Sequence, residues 1–363
     1  MKYSLIIPVY NRPDEVDELL ASLEVQTQKD FEVVVVEDGS TIPCLNVVNE
    51  HASRLALRYY QKENSGPGQS RNYGAERSQG EYLIVLDSDC VLPPGYLQAV
   101  DDELTRKPCD AFGGPDSAHE SFTPVQKAIN YSMTSFFTTG GIRGGKKKLD
   151  KFYPRSFNMG IKAELYQRLG GFSAMRFGED IDFSIRIFKS GALCRLFPEA
   201  WVWHKRRTDM KKFFKQVHNS GIARINLMKR HPGSMKLVHM LPSVFTLGVF
   251  FLSLLLVSGF ALTAANVYAI VAKSVQDTGM YSVGVYLGIA AMAGALIPML
   301  MYSLLIFADS LMQNKSCKVA WLSIGASFIQ LLGYGTGFIR AWWLRCICGR
   351  NEELQAFKDN FYQ

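Results

Sequence analysis

Charge is scarce over the C-terminal third of this 363-residue sequence. From residue 237 to 344, long stretches carry almost no Asp, Glu, Lys or Arg, which no soluble surface tolerates. Residues 1–236 have the mixed composition of an ordinary globular α/β domain. Cysteine shows no organisation: the seven (Cys44, Cys90, Cys109, Cys194, Cys317, Cys346, Cys348) form no spaced set that would hold zinc or build a disulfide framework. Scattered single thiols suit a reducing cytoplasm. No export leader precedes the first apolar run, Lys2-Tyr3-Ser4-Leu5-Ile6-Ile7-Pro8, which is too short for a signal-peptide core. The globular part is therefore expected in the cytoplasm. No nucleic-acid motif accompanies the net charge of +7, so nucleic acid is not the expected partner.

That charge is unevenly placed. Residues 143–236 hold 22 Lys/Arg against 7 Asp/Glu, a balance of +15, so the remainder is net −8. A basic stretch that ends where the apolar segments begin suits anionic lipid headgroups or a polyanionic substrate. Residues 241–262 and 283–307 are each long enough to span a bilayer. Residues 319–339 are weaker, interrupted by Gln330, Gly333, Gly335 and Gly337. Ten Lys/Arg between 205 and 236 place the N-terminal part on the cytoplasmic side. Three full crossings would then put Arg340, Arg345, Arg350 and Lys358 outside, against the same rule, so the third segment is either re-entrant or an exception.

The first hundred residues alternate strand and helix patterns. Apolar runs at 4–8, 31–36, 55–60 and 82–86 predict strands, the first two buried on both faces. Residues 14–26 space Val16, Leu19, Leu20 and Leu23 as a helix does, and 69–78 predict another. The pattern is βαβαβαβ, a parallel sheet with right-handed crossovers. Further on, 164–169, 180–189 and 210–229 predict helices, and 192–197 and 201–203 short strands. Residues 140–148 predict a flexible basic loop.

Polar side chains cluster where these strands end. Leu86-Asp87-Ser88-Asp89-Cys90 puts two carboxylates at a strand's carboxyl end, where open α/β sheets bind ligands. Such a pair suits Mg²⁺ or Mn²⁺, which also takes oxygens from substrate phosphates. Phe177-Gly178-Glu179-Asp180-Ile181-Asp182 sets a second acidic group at a helix start, with a candidate base. Ile7-Pro8-Val9-Tyr10-Asn11-Arg12, Glu37-Asp38-Gly39-Ser40 and Gly66-Pro67-Gly68-Gln69-Ser70-Arg71-Asn72 each follow a strand. Alone, each is as readily a turn, a helix cap or an anion-receiving helix start. Together they describe one crevice along the sheet edge.

On these five motifs, in this order and spacing, residues 1–230 resemble the family 2 glycosyltransferases of GT-A fold. The resemblance implies an α/β domain with a mostly parallel central sheet, followed here by a helical transmembrane region. The expected division is 1–236 catalytic, 237–345 about three transmembrane or re-entrant helices, and 346–363 a short polar tail. It implies that Pro8, Tyr10, Asp38, Arg71 and Asp87 line the nucleotide site, and that Asp89 ligates the metal with Asp87 beside it. Asp180 matches the general base, and Glu179 helps shape the acceptor site. His204, in Trp201-Val202-Trp203-His204, matches a third metal ligand in some relatives; a structural histidine is the alternative. Asn158 and Gly114 fall on the acceptor side, though Gly113-Gly114-Pro115 also makes a plain turn. Lys146, Lys147 and Lys148 with Arg155 could form a lid over pyrophosphate, or simply a solvated loop.

The implied reaction is a single in-line displacement with inversion, dependent on Mn²⁺ or Mg²⁺. The expected donor is a UDP-sugar, with GDP- and dTDP-sugars as alternatives because such loops do not read the base. Processive relatives carry Gln-x-x-Arg-Trp after the acidic base. This chain has Gln216-Val217-His218-Asn219-Ser220 instead, which predicts single addition. A catalytic domain followed by about three spans resembles bacterial exopolysaccharide and capsule transferases. Their acceptor is a lipid-linked (polyprenyl) saccharide, and the enzyme sits among membrane lipids at the cytoplasmic face of the inner membrane. Transfer to a polyprenyl phosphate itself, or a non-catalytic nucleotide-sugar scaffold, are the alternatives. The sequence names neither the donor sugar nor the oligomeric state.

Overall fold

A computed structural model describes residues 1–117, 122–140, 153–205, 208–273 and 279–354. The elements of the N-terminal part are β1 (Tyr3–Val9), α1 (Pro13–Glu24), β2 (Phe31–Asp38), α2 (Leu45–His51), β3 (Leu57–Lys62), α3 (Pro67–Ala75), β4 (Tyr82–Leu86), β5 (Cys90–Val91), α4 (Tyr96–Arg106), β6 (Ala111–Gly113) and β7 (Asp116–Ser117). There follow α5 (Pro124–Thr134), α6 (Phe136–Thr139), β8 (Asn158–Lys162), α7 (Ala163–Arg168), α8 (Glu179–Lys189), β9 (Cys194–Leu196), β10 (Val202–His204) and α9 (Met210–Arg230). Three long helices complete the described chain: α10 (Leu241–Lys273), α11 (Gly279–Asn314) and α12 (Cys317–Trp342).

A seven-stranded sheet of order β3-β2-β1-β4-β8-β6-β9 forms the centre. The first four strands pair in parallel, as their uninterrupted apolar runs predict, and β8 alone runs against the other six. Every residue of β1, β2 and β4 is buried, because helices cover both faces. Leu5, Ile7, Val33, Val35 and Leu86 meet α1, α2 and α4 on one face. Ile6, Leu83, Val85, Met159 and Ile161 meet α7 and α8 on the other. Gly74 of α3 lies flat on β1, where an added Cβ would come within 2.7 Å of Ile6 Cγ2. The parallel strands all end at one edge, and β8 enters at that edge with Asn158 opposite Leu86. A small sheet, β5-β10-β7, closes the end of the crevice.

The sequence reading did not predict α2, α4, α5 or α6. Helix α5 is set by Thr123 and Gln126, whose side chains bond each other's backbone N–H in a capping box. The predicted basic loop lies outside the described residues from 141 onward, as does the tail from 355.

Helices α10, α11 and α12 with its last turns are long and apolar enough to cross a membrane, with mean hydropathies of 2.3, 2.1 and 1.3. The first two leave Leu247, Phe250, Phe251, Leu254, Val257, Phe260, Leu300 and Leu304 exposed. The third is different in kind: 44% of its apolar window is buried, against 6% and 11% in the others.

Candidate active site

Four strand exits are stitched together along the carboxyl edge. Asn11, at φ 53°, donates its backbone N–H to Ser40 Oγ at 2.8 Å. Its Oδ1 accepts from the N–H groups of Thr41 and Ile42 at 2.8 and 2.9 Å. The loops after β1 and β2 are therefore tied together. Asp38 is buried, with its carboxylate accepting from Lys62 Nζ at 2.7 Å and from the N–H groups of Ser65 and Gly66 at 2.9 and 2.8 Å. Expected at the nucleotide site, it holds the turn that starts α3. Gly66 caps that helix at φ 86°, a conformation glycine adopts without strain. Pro8 is likewise inside the sheet, opposite Val36, while Tyr10 stands half-buried at the β1 exit.

Arg71, one turn into α3, was also expected along the nucleotide site. Its side chain is only 3% exposed and joins the two acidic motifs. One terminal nitrogen donates to Asp87 Oδ1 at 2.7 Å and the other to Glu179 Oε1 at 3.1 Å. Its guanidinium lies 5.2 Å from the Phe172 ring centre. Asn72 fixes Phe172 from the same helix, accepting from its N–H at 2.8 Å and donating to its carbonyl at 2.9 Å. A planar fork with two ends suits this bridge; a lysine could serve only one carboxylate.

At the Asp89 end, β10 pairs antiparallel with β5, setting His204 opposite Cys90. His204 Nε2 stands 3.2 Å from Asp89 Oδ1 and 3.9 Å from Asp87 Oδ2. The Phe157 ring stacks on the imidazole at 5.0 Å. Burial pushes the Asp89 pKa up, but His204 and Arg12 more than offset it, and the carboxyl lies well below its ordinary value. Asp89 Oδ1 is buried, and the group beside it among the described residues is the His204 ring nitrogen at 3.2 Å. A desolvated, ionised oxygen of that kind beside an imidazole nitrogen fits a divalent cation. Cys90 is within reach of the same point, and burial raises its thiol well above normal, but a soft sulfur is a poor match for a hard cation such as Mg²⁺ or Mn²⁺.

The second acidic motif opens α8. Gly178 caps the helix at φ 87°, and Glu179 and Asp180 follow at once, where the helix dipole favours anions. Asp180 accepts from Arg155 Nε at 2.5 Å and from the Ile181 N–H at 2.8 Å. Burial would raise its pKa, but the Arg155 charge wins and holds it low. Glu179 behaves oppositely: burial and the Asp180 charge raise it to about 7, against the pull of Arg71. Two adjacent carboxyls are thus set apart by their surroundings, one ionised and one half-protonated near neutrality. Asp182 faces away from them, bonded to Ser173, Arg186 and His231.

The structure thus brings Asp87, Asp89, His204, Glu179 and Asp180 to one crevice. Asn158 and Gly114 do not face it. Asn158 is fully buried, accepting from Tyr96 Oη at 2.6 Å and donating to the Ala200 carbonyl at 2.8 Å. Gly114 exists for packing, since a Cβ there would fall 1.6 Å from the Ala200 oxygen. Arg155, named above with a lid, is instead the partner of Asp180; the three lysines lie outside the described residues. Arg12 and Phe157 had no signal in the sequence beyond adjacency to a motif.

Residues 4–170 match the family profile described as Glycosyl transferase family 2. An uncharacterized glycosyltransferase of Haemophilus influenzae is 31% identical over 194 residues, 51% of this chain and 62% of that protein. The poly(ribitol-phosphate) beta-N-acetylglucosaminyltransferase TarS of Staphylococcus aureus is 41% identical over 93 residues, 24% of this chain and 16% of that one. The chain thus spans less than two thirds of the length of either relative. A mannosyltransferase of Pyrobaculum calidifontis, solved with GDP-Man and Mn²⁺, superposes with a TM-score of 0.53 at 16% identity. That match covers 94% of this chain and 87% of the other, and it speaks to the fold.

Proposed function

We propose, from the match of residues 4–170 to the glycosyl transferase family 2 profile, that this chain moves one sugar from a nucleoside-diphosphate sugar to a lipid-linked acceptor. The observation that carries this reading is the Arg71 bridge, which ties the Asp87–Asp89–His204 group to the Glu179–Asp180 pair in one crevice. Asp89 and His204, with Asp87 beside them, would hold Mn²⁺ or Mg²⁺, which supplies neutralisation of charge on the departing diphosphate. Tyr10 stands at the crevice mouth for the nucleoside, and the donor class expected from the motifs is a UDP-sugar.

Asp180 is ionised and takes the proton from the acceptor hydroxyl. The acceptor oxygen bonds to the anomeric carbon from the face opposite the diphosphate. The carbon–oxygen bond to the diphosphate breaks, and configuration inverts. The apolar faces of α10 and α11 support an anchor in the cytoplasmic membrane, with the catalytic part on the cytoplasmic side. That height brings the active site to a membrane-bound acceptor.

One observation favours a second reading. Arg155 makes Asp180 a weak base, and a polyprenyl phosphate acceptor is already an anion that needs none. The test is nucleotide release with Mn²⁺ across UDP-, GDP- and dTDP-sugars, with and without a membrane lipid extract. Lipid-dependent release lost in both Asp89→Ala and Asp180→Asn supports a hydroxyl acceptor. Release that survives in Asp180→Asn selects the phosphate acceptor. No release from any donor in the presence of lipid refutes the transferase reading of this chain.

A further inference from the structure

Three helices could cross a membrane by length and composition, yet the packing of α12 departs from that of a span. Helix α12 lies along α9 and runs in the same direction. Gly333 packs on Val217, Gly337 on the His218 carbonyl, and Gly221 on Tyr334 and Phe338. Further along, Arg345 donates to Asn226 Oδ1 at 2.7 Å and Arg230 to Glu353 Oε1 at 2.5 Å. The N-terminal half of α12 is also clasped by the catalytic part. Val319 and Ala326 pack with Ala128, Ile129 and Met133 of α5 and with Phe213 of α9.

Helix α9 cannot follow α12 into hydrocarbon. Its Lys211, Lys212 and Lys215 flank the Phe213–Gly221 stretch that packs on α12, and they would lie at bilayer depth beside a spanning α12. It is also fixed to the active site: Gly178, the cap of α8, sits 3.3 Å (as a built Cβ) from Ala223 and Leu227. At its end His231 bonds Asp182 at 2.8 Å.

Among the described residues, the contacts of α12 with the other two helices gather toward the base of the α10–α11 pair. Its partners on α10 are in the first turns, Pro242 and Thr246 against Gly335 and Phe245 against Phe328. Its partners on α11 are in the last turns: Tyr302 against Phe328, Phe307 against Trp321, and Ser310 bonded to Ser323 at 2.8 Å. Deeper along the pair, Gly259 meets Gly288, Ala291 and Met292, and Gly284 meets Asn266, helix α10 on helix α11 alone. Asp309 near the end of α11 accepts from Tyr131 Oη of α5 at 2.6 Å, so this helix returns to the catalytic side.

We infer that only α10 and α11 cross the bilayer, as a two-helix hairpin, and that α12 lies in the membrane plane on the catalytic side as a platform against the lipid headgroups. This rests on the membrane anchoring proposed above. The platform's uncovered face carries Trp342, Trp343 and Arg340, the residue types that settle at the headgroup level of an anionic leaflet. It also removes the conflict in the sequence, because Arg340, Arg345 and Arg350 then stay on the cytoplasmic side. Through α9 the platform lies one helix away from Glu179 and Asp180, so the membrane surface is set directly beside the acceptor acids.

Native thiols test this. Cys317, the first residue of the platform, and Cys348, just after it, are exposed, whereas Cys44, Cys90 and Cys109 are buried. Full-length protein in sealed vesicles of each orientation is treated with a membrane-impermeant maleimide, and the labelled sites are located by peptide mass. Met280→Cys, at an exposed position near the hairpin tip, marks the far side, and Cys194 of β9 marks the catalytic side. Cys317 and Cys348 are expected to label from the Cys194 side, and the substituted position 280 from the other. Labelling of Cys348 together with position 280 would overturn the platform while leaving the membrane anchor intact. Labelling of all four sites from one side would instead remove the hairpin, and with it the anchoring that the platform rests on.

Discussion

Replacing Glu179 by glutamine isolates what it costs this site to keep two acids side by side. Its carboxyl rises from 4.5 to about 7, first through burial and then through the Asp180 charge. At roughly 1.4 kcal/mol for each tenfold change in proton affinity, that rise corresponds to about 3 kcal/mol between the folded and unfolded chains. A group whose pKa is raised on folding contributes stability that is fully present below its unfolded value. It is lost as pH climbs from 4.5 through 7. Glutamine keeps an oxygen for Arg71 and cannot ionise, so the variant lacks this loss. Urea unfolding in detergent, followed by tryptophan fluorescence at intervals from pH 4.5 to 8, measures the difference between the two proteins. Near pH 4.5 the curves should coincide; by pH 8 the variant should be more stable by about 3 kcal/mol. A flat difference curve, or a wild type that is the more stable at pH 8, would refute the account of the acid pair.

Other consequences can be checked separately. His204→Ala should weaken Mn²⁺ binding at least about tenfold, read by the paramagnetic signal of free Mn²⁺; unchanged affinity would make His204 structural. Arg155→Met removes the charge that depresses Asp180, so the acid limb of the pH–rate profile should move up by about one pH unit. A profile that stays in place would dissociate Asp180 from the rate. Gly221→Ala drives a Cβ to 2.1 Å from the Tyr334 carbonyl and should cost about 1–3 kcal/mol by forcing α9 from α12. An unchanged melting temperature would show that the two helices are not held together there.

Much of this protein is written in short stretches of its sequence. The apolar runs of β1, β2 and β4 can only be strands covered on both faces, and their parallel pairing follows from the helices between them. A polar side chain after such a strand must emerge at the carboxyl edge, and that is where Asp87 and Asp89 stand. The same holds for Glu179 and Asp180 at the start of α8. These are local properties: backbone direction, side-chain period and a helix cap settle them. What each neighbouring residue does was not local. The loops of Arg71 and Asp38 mark both for the nucleotide site, and their spacing says nothing of their protein partners. The fold turns both inward, because a buried guanidinium must find carboxylates and a buried carboxylate must find N–H groups. Arg155 reaches Asp180 and Phe157 reaches His204 across 25 and 47 positions of sequence, and no spacing rule links them. The third apolar segment shows the same division. Its hydropathy allowed a span, but what α12 touches depends on the charged face of α9, and that neighbour exists only once the chain has folded.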